Sequence, residues 1–213
     1  MLYITNTISP HNSGKILHYG AELSSAEKAM IMIHGRGADA QSIISLYEHF
    51  KAEKIIYIAP QAADNTWYPY RFIEKREANE PGITSGLRLI KSIIDTLNDS
   101  GIATENIFLL GFSQGACLAA DYAARYTQRF AAVFCLSGAL IGDTLDPAEY
   151  NGDMQQTPVF FGCSENDFHI PEQRIHESAR IFTSLNARVT ERIYPNLGHT
   201  INRDELAFIK DFM

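Results

Sequence analysis

The 213-residue sequence has no apolar run long enough to cross a bilayer. The longest, Phe130 to Leu136, is far short of the roughly 18 to 20 residues that a helical span requires, so no integral membrane association is expected. Met1 to Lys15 has no basic stretch followed by an apolar one, so no signal peptide is expected either. Positive charge is scarce: the net charge is −7, with no Lys/Arg cluster. That balance excludes nucleic acid or an anionic membrane surface as the main partner, while leaving neutral esters and lipids open. Cysteine is also scarce. Cys117, Cys135 and Cys163 are odd in number, widely spaced and set in apolar or near-apolar stretches, which predicts reduced, buried thiols and a cytoplasmic setting. No Cys or His pair has metal-ligand spacing, and His169 and His176 are two helical turns apart, so no metal is expected. Repeats, low-complexity segments and linkers are absent. With 46% apolar residues, the chain reads as a single domain over residues 1–213.

What is present is an alternation of short apolar runs with helical patterns. Leu2 to Thr7 and Lys15 to Tyr19 suggest an N-terminal hairpin. Buried strands are expected at Ala29 to Ile33, Lys54 to Ala59, Ile107 to Leu110 and Ala131 to Leu136, and further strands at Pro158 to Cys163 and Val189 to Tyr194. Helices are expected at Ala40 to Phe50, from Pro81 to Gly101, at Ala116 to Tyr126, Pro171 to Leu185 and Asp204 to Met213. Asn65 to Arg76 reads as an aromatic-rich loop. This pattern predicts an α/β fold with a mostly parallel central sheet and helices on both faces.

One pentapeptide carries chemistry. Gly111-Phe112-Ser113-Gln114-Gly115 matches G-x-S-x-G, and an expected strand precedes it and an expected small-residue helix follows it. A serine on such a turn projects its hydroxyl from the top of a sheet, and flanking glycines avoid clashes across the turn. A serine hydroxyl needs a base, and the base an orienting acid, in the chain order serine, acid, histidine on sheets of this kind. His199, in Asn196-Leu197-Gly198-His199-Thr200, lies after the last expected strand and fits the base better than His11, His18, His34 or His49. Asp167 fits the acid, with Glu165 and Asp143 as competitors. An oxyanion hole needs two backbone N–H groups. Gln114, after the serine, supplies one, and the loop His34-Gly35-Arg36-Gly37 supplies the other from Arg36, or alternatively from Gly37.

With these motifs in this order, the chain resembles the phospholipase/carboxylesterase family of α/β-hydrolases, which includes acyl-protein thioesterases and small bacterial carboxylesterases. The resemblance runs from about Ala29 to Met213. It implies a cofactor-free serine esterase without a large cap domain, often homodimeric, acting on a small-molecule ester or thioester, and it supports Arg36 and Gln114 as the oxyanion donors. Two positions depart from the family: Arg36 stands where an apolar residue is frequent, and Phe168 where proline commonly follows the acid.

Trp67, Tyr68, Pro69, Tyr70 and Phe72 offer a stiff apolar pocket wall, and Phe168 is a further lining residue. The expected activity is hydrolysis of short- to medium-chain, including aryl, carboxylic esters or thioesters. The alternatives are an amide or peptide hydrolase on the same fold and a non-catalytic binding protein.

Overall fold

A computed structural model describes residues 4–213. Seven strands and six α-helices form in the order β1 (Ile16–Gly20), β2 (Lys28–Ile33), α1 (Ala40–Ile44), α2 (Tyr47–Phe50), β3 (Ile55–Pro60), α3 (Gly82–Asp99), β4 (Ile107–Phe112), α4 (Gln114–Arg125), β5 (Ala132–Leu136), β6 (Pro158–Ser164), α5 (Glu172–Ser184), β7 (Arg188–Tyr194) and α6 (Arg203–Lys210). The sheet order is β1-β3-β2-β4-β5-β6-β7. Only β1 is antiparallel to its neighbour; all other pairings are parallel.

The inner strands are apolar on both faces, as a sheet covered on both sides requires. Alternate residues feed two cores. Ala29, Ile31, Ile33, Leu109 and Val133 pack with α3, α4 and α5, whereas Met30, Met32, Phe108, Leu110 and Phe134 pack with α1, α2 and α6. α4 is buried along Gln114 to Ala124, and its alanines let the backbone lie close to the strands. β2 sits between β3 and β4, so the chain runs outward from β2 to β3 and then crosses back to β4. A crevice opens beyond the carboxyl ends of strands where such a reversal occurs, and here it lies above β2 and β4.

Two expectations are corrected. The N-terminal hairpin does not form: the described part of its first arm, residues 4–7, is not a strand, and residues 1–3 lie outside the described chain. β1 pairs with β3 instead, from Ile16 opposite Pro60 to Gly20 opposite Ile56. The segment before it is drawn onto α3, where Ser85 Oγ donates to Ile8 O (2.7 Å) and accepts from His11 N–H (2.9 Å). The single helix expected over Ala40 to Phe50 is split into α1 and α2. The Ser42 and Ser45 hydroxyls donate to the carbonyls of Asp39 (2.6 Å) and Ser42 (2.7 Å), and the backbone between the helices closes tighter three-residue bonds such as Leu46 N–H to Ile43 O. Serine hydroxyls that compete for helix carbonyls favour such a break.

Among the described residues no helix is long and apolar enough to cross a membrane. The three cysteines are free and buried.

Candidate active site

Ser113 is the one residue between β4 and α4, with φ 54° and ψ −121°. A non-glycine residue held there stores about 1–3 kcal/mol of strain, which the surrounding contacts offset. Its N–H donates to Leu136 O (2.9 Å), and its carbonyl accepts from Cys117 N–H (3.0 Å). The two motif glycines are steric necessities. A Cβ at Gly111 would lie 2.3 Å from Gly115 O, and one at Gly115 would lie 2.1 Å from Ile33 O.

The two sequence-predicted partners converge on this serine from later strands. His199, in the loop between β7 and α6, has Nε2 2.8 Å from Ser113 Oγ and Nδ1 2.7 Å from Asp167 Oδ2. A carboxylate at Nδ1 fixes the proton there and leaves the Nε2 lone pair for the serine O–H. The histidine loop is anchored by Ser164 Oγ, which accepts the N–H groups of Leu197 (3.2 Å) and Gly198 (3.1 Å). Asp167 follows β6 and closes a turn of its own, its Oδ1 accepting from His169 N–H (2.9 Å) and Ile170 N–H (3.1 Å). Burial pushes the Asp167 carboxyl up, but the His199 hydrogen bond and the two backbone donors outweigh it, so the group ends below its ordinary value. The competitors are elsewhere. Glu165 is exposed and accepts Asn196 N–H (3.3 Å). Asp143 lines a separate groove against α5.

His34 and His11 have structural roles. The buried His34 ring donates from Nδ1 to Gly35 O (2.8 Å) and accepts Ala62 N–H at Nε2 (3.1 Å). His11 donates from Nε2 to Trp67 O (2.9 Å) and accepts Ala63 N–H (3.1 Å). Burial lowers both rings from their ordinary value, in keeping with these neutral tautomers.

Gly35 lies against the serine; a Cβ on it would stand 3.3 Å from Ser113 Cβ. The next two N–H groups differ. Gly37 N–H is committed to Asn65 O (2.8 Å). The backbone N–H groups of Arg36 and Gln114 have no acceptor among the described residues, and both residues line the same cavity as Ser113 and His199. Free N–H groups beside a hydroxyl in a half-enclosed cavity can bind an anionic oxygen.

That cavity has a volume of about 250 Å³ and is walled by Tyr68, Tyr70 and Phe72 on one side and by Phe112, Ile170 and Cys117 on others. Burial pushes the Cys117 thiol up to about 12, so it is a wall and not a nucleophile. Three expected wall residues, Trp67, Pro69 and Phe168, do not line the cavity. Trp67 is fully buried behind it, its indole N–H donating to His34 O (2.9 Å) and its ring packed between His11 and His34. An indole with a partner and two aromatic neighbours is better satisfied in the core. Phe168 is 74% exposed and packs on His169, with centroids 4.3 Å apart.

The aromatic loop is held by side chains whose roles no motif signals. Gln114 Oε1 accepts Trp67 N–H (2.9 Å), while its Nε2 donates to Tyr68 O (2.8 Å). Asn79 accepts Tyr70 N–H (2.8 Å) and donates to Arg71 O (2.9 Å). The Arg36 guanidinium donates to the carbonyls of Pro69 and Tyr70. Buried Asp121 accepts Arg76 (2.7 Å) from the far end of the loop and Arg125 (3.0 Å) from its own helix. Arg71 and His169 also line the cavity, and neither stands in a recognisable pattern.

Residues 21–213 match the phospholipase/carboxylesterase family. The chain belongs to this family. A crystal structure of a phospholipase/carboxylesterase from Dyadobacter fermentans is 38% identical, with a TM-score of 0.92 over 97% of this chain and 98% of that one. Acyl-protein thioesterase 1 of Gibberella zeae is 25% identical over 86% of this chain and 88% of its own length. Lysophospholipase-like protein 1 of Mus musculus is 28% identical over 87% and 85%. The chain is accordingly a hydrolase of the phospholipase/carboxylesterase family with the α/β-hydrolase fold. The region matched begins just after β1, so it takes in both loops that meet at Ser113.

Proposed function

We propose that the chain is a serine carboxylesterase that cleaves short- to medium-chain carboxylic esters, including aryl esters, or thioesters, through an acyl-enzyme on Ser113. The observation that carries this reading is the unbroken relay Ser113–His199–Asp167, at 2.8 and 2.7 Å, beside two N–H groups with no acceptor among the described residues. His199 takes the serine proton as Oγ attacks the acyl carbon. The carbonyl oxygen becomes an oxyanion facing the N–H groups of Arg36 and Gln114, at the start of α4, where the helix dipole adds to the attraction. His199 then protonates the departing alkoxide or thiolate. Water, deprotonated by the same imidazole, attacks the acyl-enzyme and frees Ser113 and the acid. Asp167 holds the tautomer and stabilises the imidazolium throughout.

A 250 Å³ cavity is below the roughly 300–1,000 Å³ of drug-sized sites, which favours short acyl groups over long ones. Tyr68 and Phe72 line the cavity, and an aromatic lining suits an aryl group. Three free, buried thiols suit a reducing compartment such as the cytoplasm. The test is hydrolysis of p-nitrophenyl esters from acetate to palmitate, with Ser113→Ala alongside. A rate that peaks at short or medium chains and vanishes in the variant is expected. Equal rates in both proteins would sink the serine mechanism, and turnover of anilides in preference to esters would make the chain an amidase.

A further inference from the structure

The cavity at Ser113 is cationic in a chain whose net charge is −7. Arg36, Arg71, His169 and His199 line it, and no carboxylate does; the Asp167 side chain is fully buried. The two arginines differ in setting. Arg36 is fixed by its bonds to Pro69 O and Tyr70 O and lies over the Tyr68 ring, 6.0 Å from its centroid. Carbonyls and a ring orient a guanidinium but do not neutralise it, and a guanidinium with two N–H groups engaged still has three to offer. The Arg71 guanidinium makes no hydrogen bond or ion pair among the described residues, although its backbone is pinned by Asn79. The field they create reaches the cavity against that of the buried Asp167: His169 is lowered from its ordinary value first by burial and then by His199, is raised by Asp167, and is lowered again by Arg71 and Arg36.

We infer that the substrates of this site are esters that carry a carboxylate, which Arg71 and Arg36 receive at the rim while the ester carbonyl sits at Ser113. This rests on the esterase reading above and narrows it. A fixed guanidinium and a free one, with no competing carboxylate, form a receptor for a planar anion, because the arginine fork matches carboxylate geometry. Neutral long-chain esters gain nothing from such a rim and must desolvate it. The anion has two sources, the acyl part of a dicarboxylate half-ester or the alcohol part of a hydroxy-acid ester, and the test distinguishes them.

Two matched pairs are compared by kcat/KM. In the first, p-nitrophenyl hemisuccinate is set against p-nitrophenyl isocaproate, in which an isopropyl group replaces the carboxylate. In the second, the acetyl ester of p-hydroxybenzoate is set against p-isopropylphenyl acetate. Rates with Ser113→Ala are subtracted, because the succinate carboxylate also attacks its own ester without the enzyme. The anionic member is expected to win in at least one pair, and the winning pair identifies the side that bears the charge. Near exposed arginines the preference is about two- to fivefold per guanidinium. It should shrink at about 1 M salt, where the Debye length is ~3 Å. Arg71→Lys should keep most of the preference, Arg71→Gln should lower it and Arg71→Glu should invert it. A purely structural Arg71 would move all four substrates together and leave these ratios unchanged. Ratios of one or less in both wild-type pairs, or ratios unaltered by Arg71→Glu, overturn the inference while neutral-ester turnover leaves the esterase reading standing. Failure of all four substrates removes both.

Discussion

In the proposed mechanism Gln114 has two separable roles, and Gln114→Ala divides them. The substitution leaves the backbone N–H at the start of α4 but deletes an amide that joins the aromatic loop to the nucleophile helix. Trp67 N–H loses its acceptor at 2.9 Å and Tyr68 O its donor at 2.8 Å. Trp67, Tyr68 and Gln114 are 0%, 2% and 6% exposed, so water does not replace the lost partners without movement of the loop. Each orphaned buried group costs about 1–3 kcal/mol. The pair therefore costs ~2–6 kcal/mol if the loop stays, and less if it shifts to find solvent. For a chain of this size, 1 kcal/mol corresponds to about 2–4 °C in Tm, so a drop of ~4–24 °C is expected by calorimetry if the loop stays in place. Because Tyr68 and Phe72 wall the cavity, the variant should also lose selectivity across the p-nitrophenyl series, while its turnover of the acetate, which needs the wall least, falls least. Gln114→Glu should be no milder, because a carboxylate oxygen would then face Tyr68 O. A Gln114→Ala protein with native Tm and an unchanged chain-length profile would refute the view that this side chain holds the wall.

Gly115→Ala should be harsher than an ordinary surface change, because its Cβ would meet Ile33 O at 2.1 Å; we expect a loss of more than about 4 kcal/mol in urea, or no soluble protein, and a stable variant would contradict the packing at the turn. Glu205 is buried on α6, and burial pushes its carboxyl from 4.5 up to about 7. The folded chain keeps that proton up to about pH 7 while the unfolded chain releases it near 4.5. This contribution therefore favours folding at low pH and is lost as pH rises between the two values, amounting to ~3 kcal/mol above pH 7. Glu205→Gln should flatten that part of the stability–pH curve measured by urea unfolding, and an unchanged slope would count against it. The three thiols should be silent to Ellman's reagent until the chain unfolds: all are buried, and burial pushes Cys117 and Cys163 up to about 12 and Cys135 higher still; fast native labelling would show an opening that the fold does not contain.

β2 to β6 were legible because each is a short, buried and largely apolar run closed by a turn; β7 carries charged residues and stays partly exposed at the sheet edge. The candidate site was sought as particular residue types in chain order, and the structure brings Ser113, Asp167 and His199 together. Even the competition between Asp167 and Glu165 has a local reason: a short carboxylate can accept N–H groups two and three residues ahead, as Asp167 does from His169 and Ile170. What could not be read is what depends on partners distant in sequence. The Lys15 to Tyr19 pattern suits a strand equally well against residues 4–7 or against β3, and the residues that hold the preceding segment away, Ser85, Trp67 and Ala63, lie far along the chain. Aromatic identity in the loop fits a pocket wall and a core equally. Tyr68 and Phe72 are in contact with the cavity, while Trp67 is turned inward because two histidines and a carbonyl await it there.

α4 begins with Gln114, directly after the serine, and Asp121 two turns on grips the other end of the aromatic loop. In the proposed mechanism the nucleophile, one oxyanion donor and the anchors of the cavity wall are thus borne on a single spindle. The site is a jig with no separate jaw: a substrate is gauged by a wall that cannot be retuned far without disturbing the tool it guides. New specificities in this scaffold should therefore come by exchanging the outward tips at Tyr70 and Arg71, whose side chains are free of that spindle, and not by loosening its mounts.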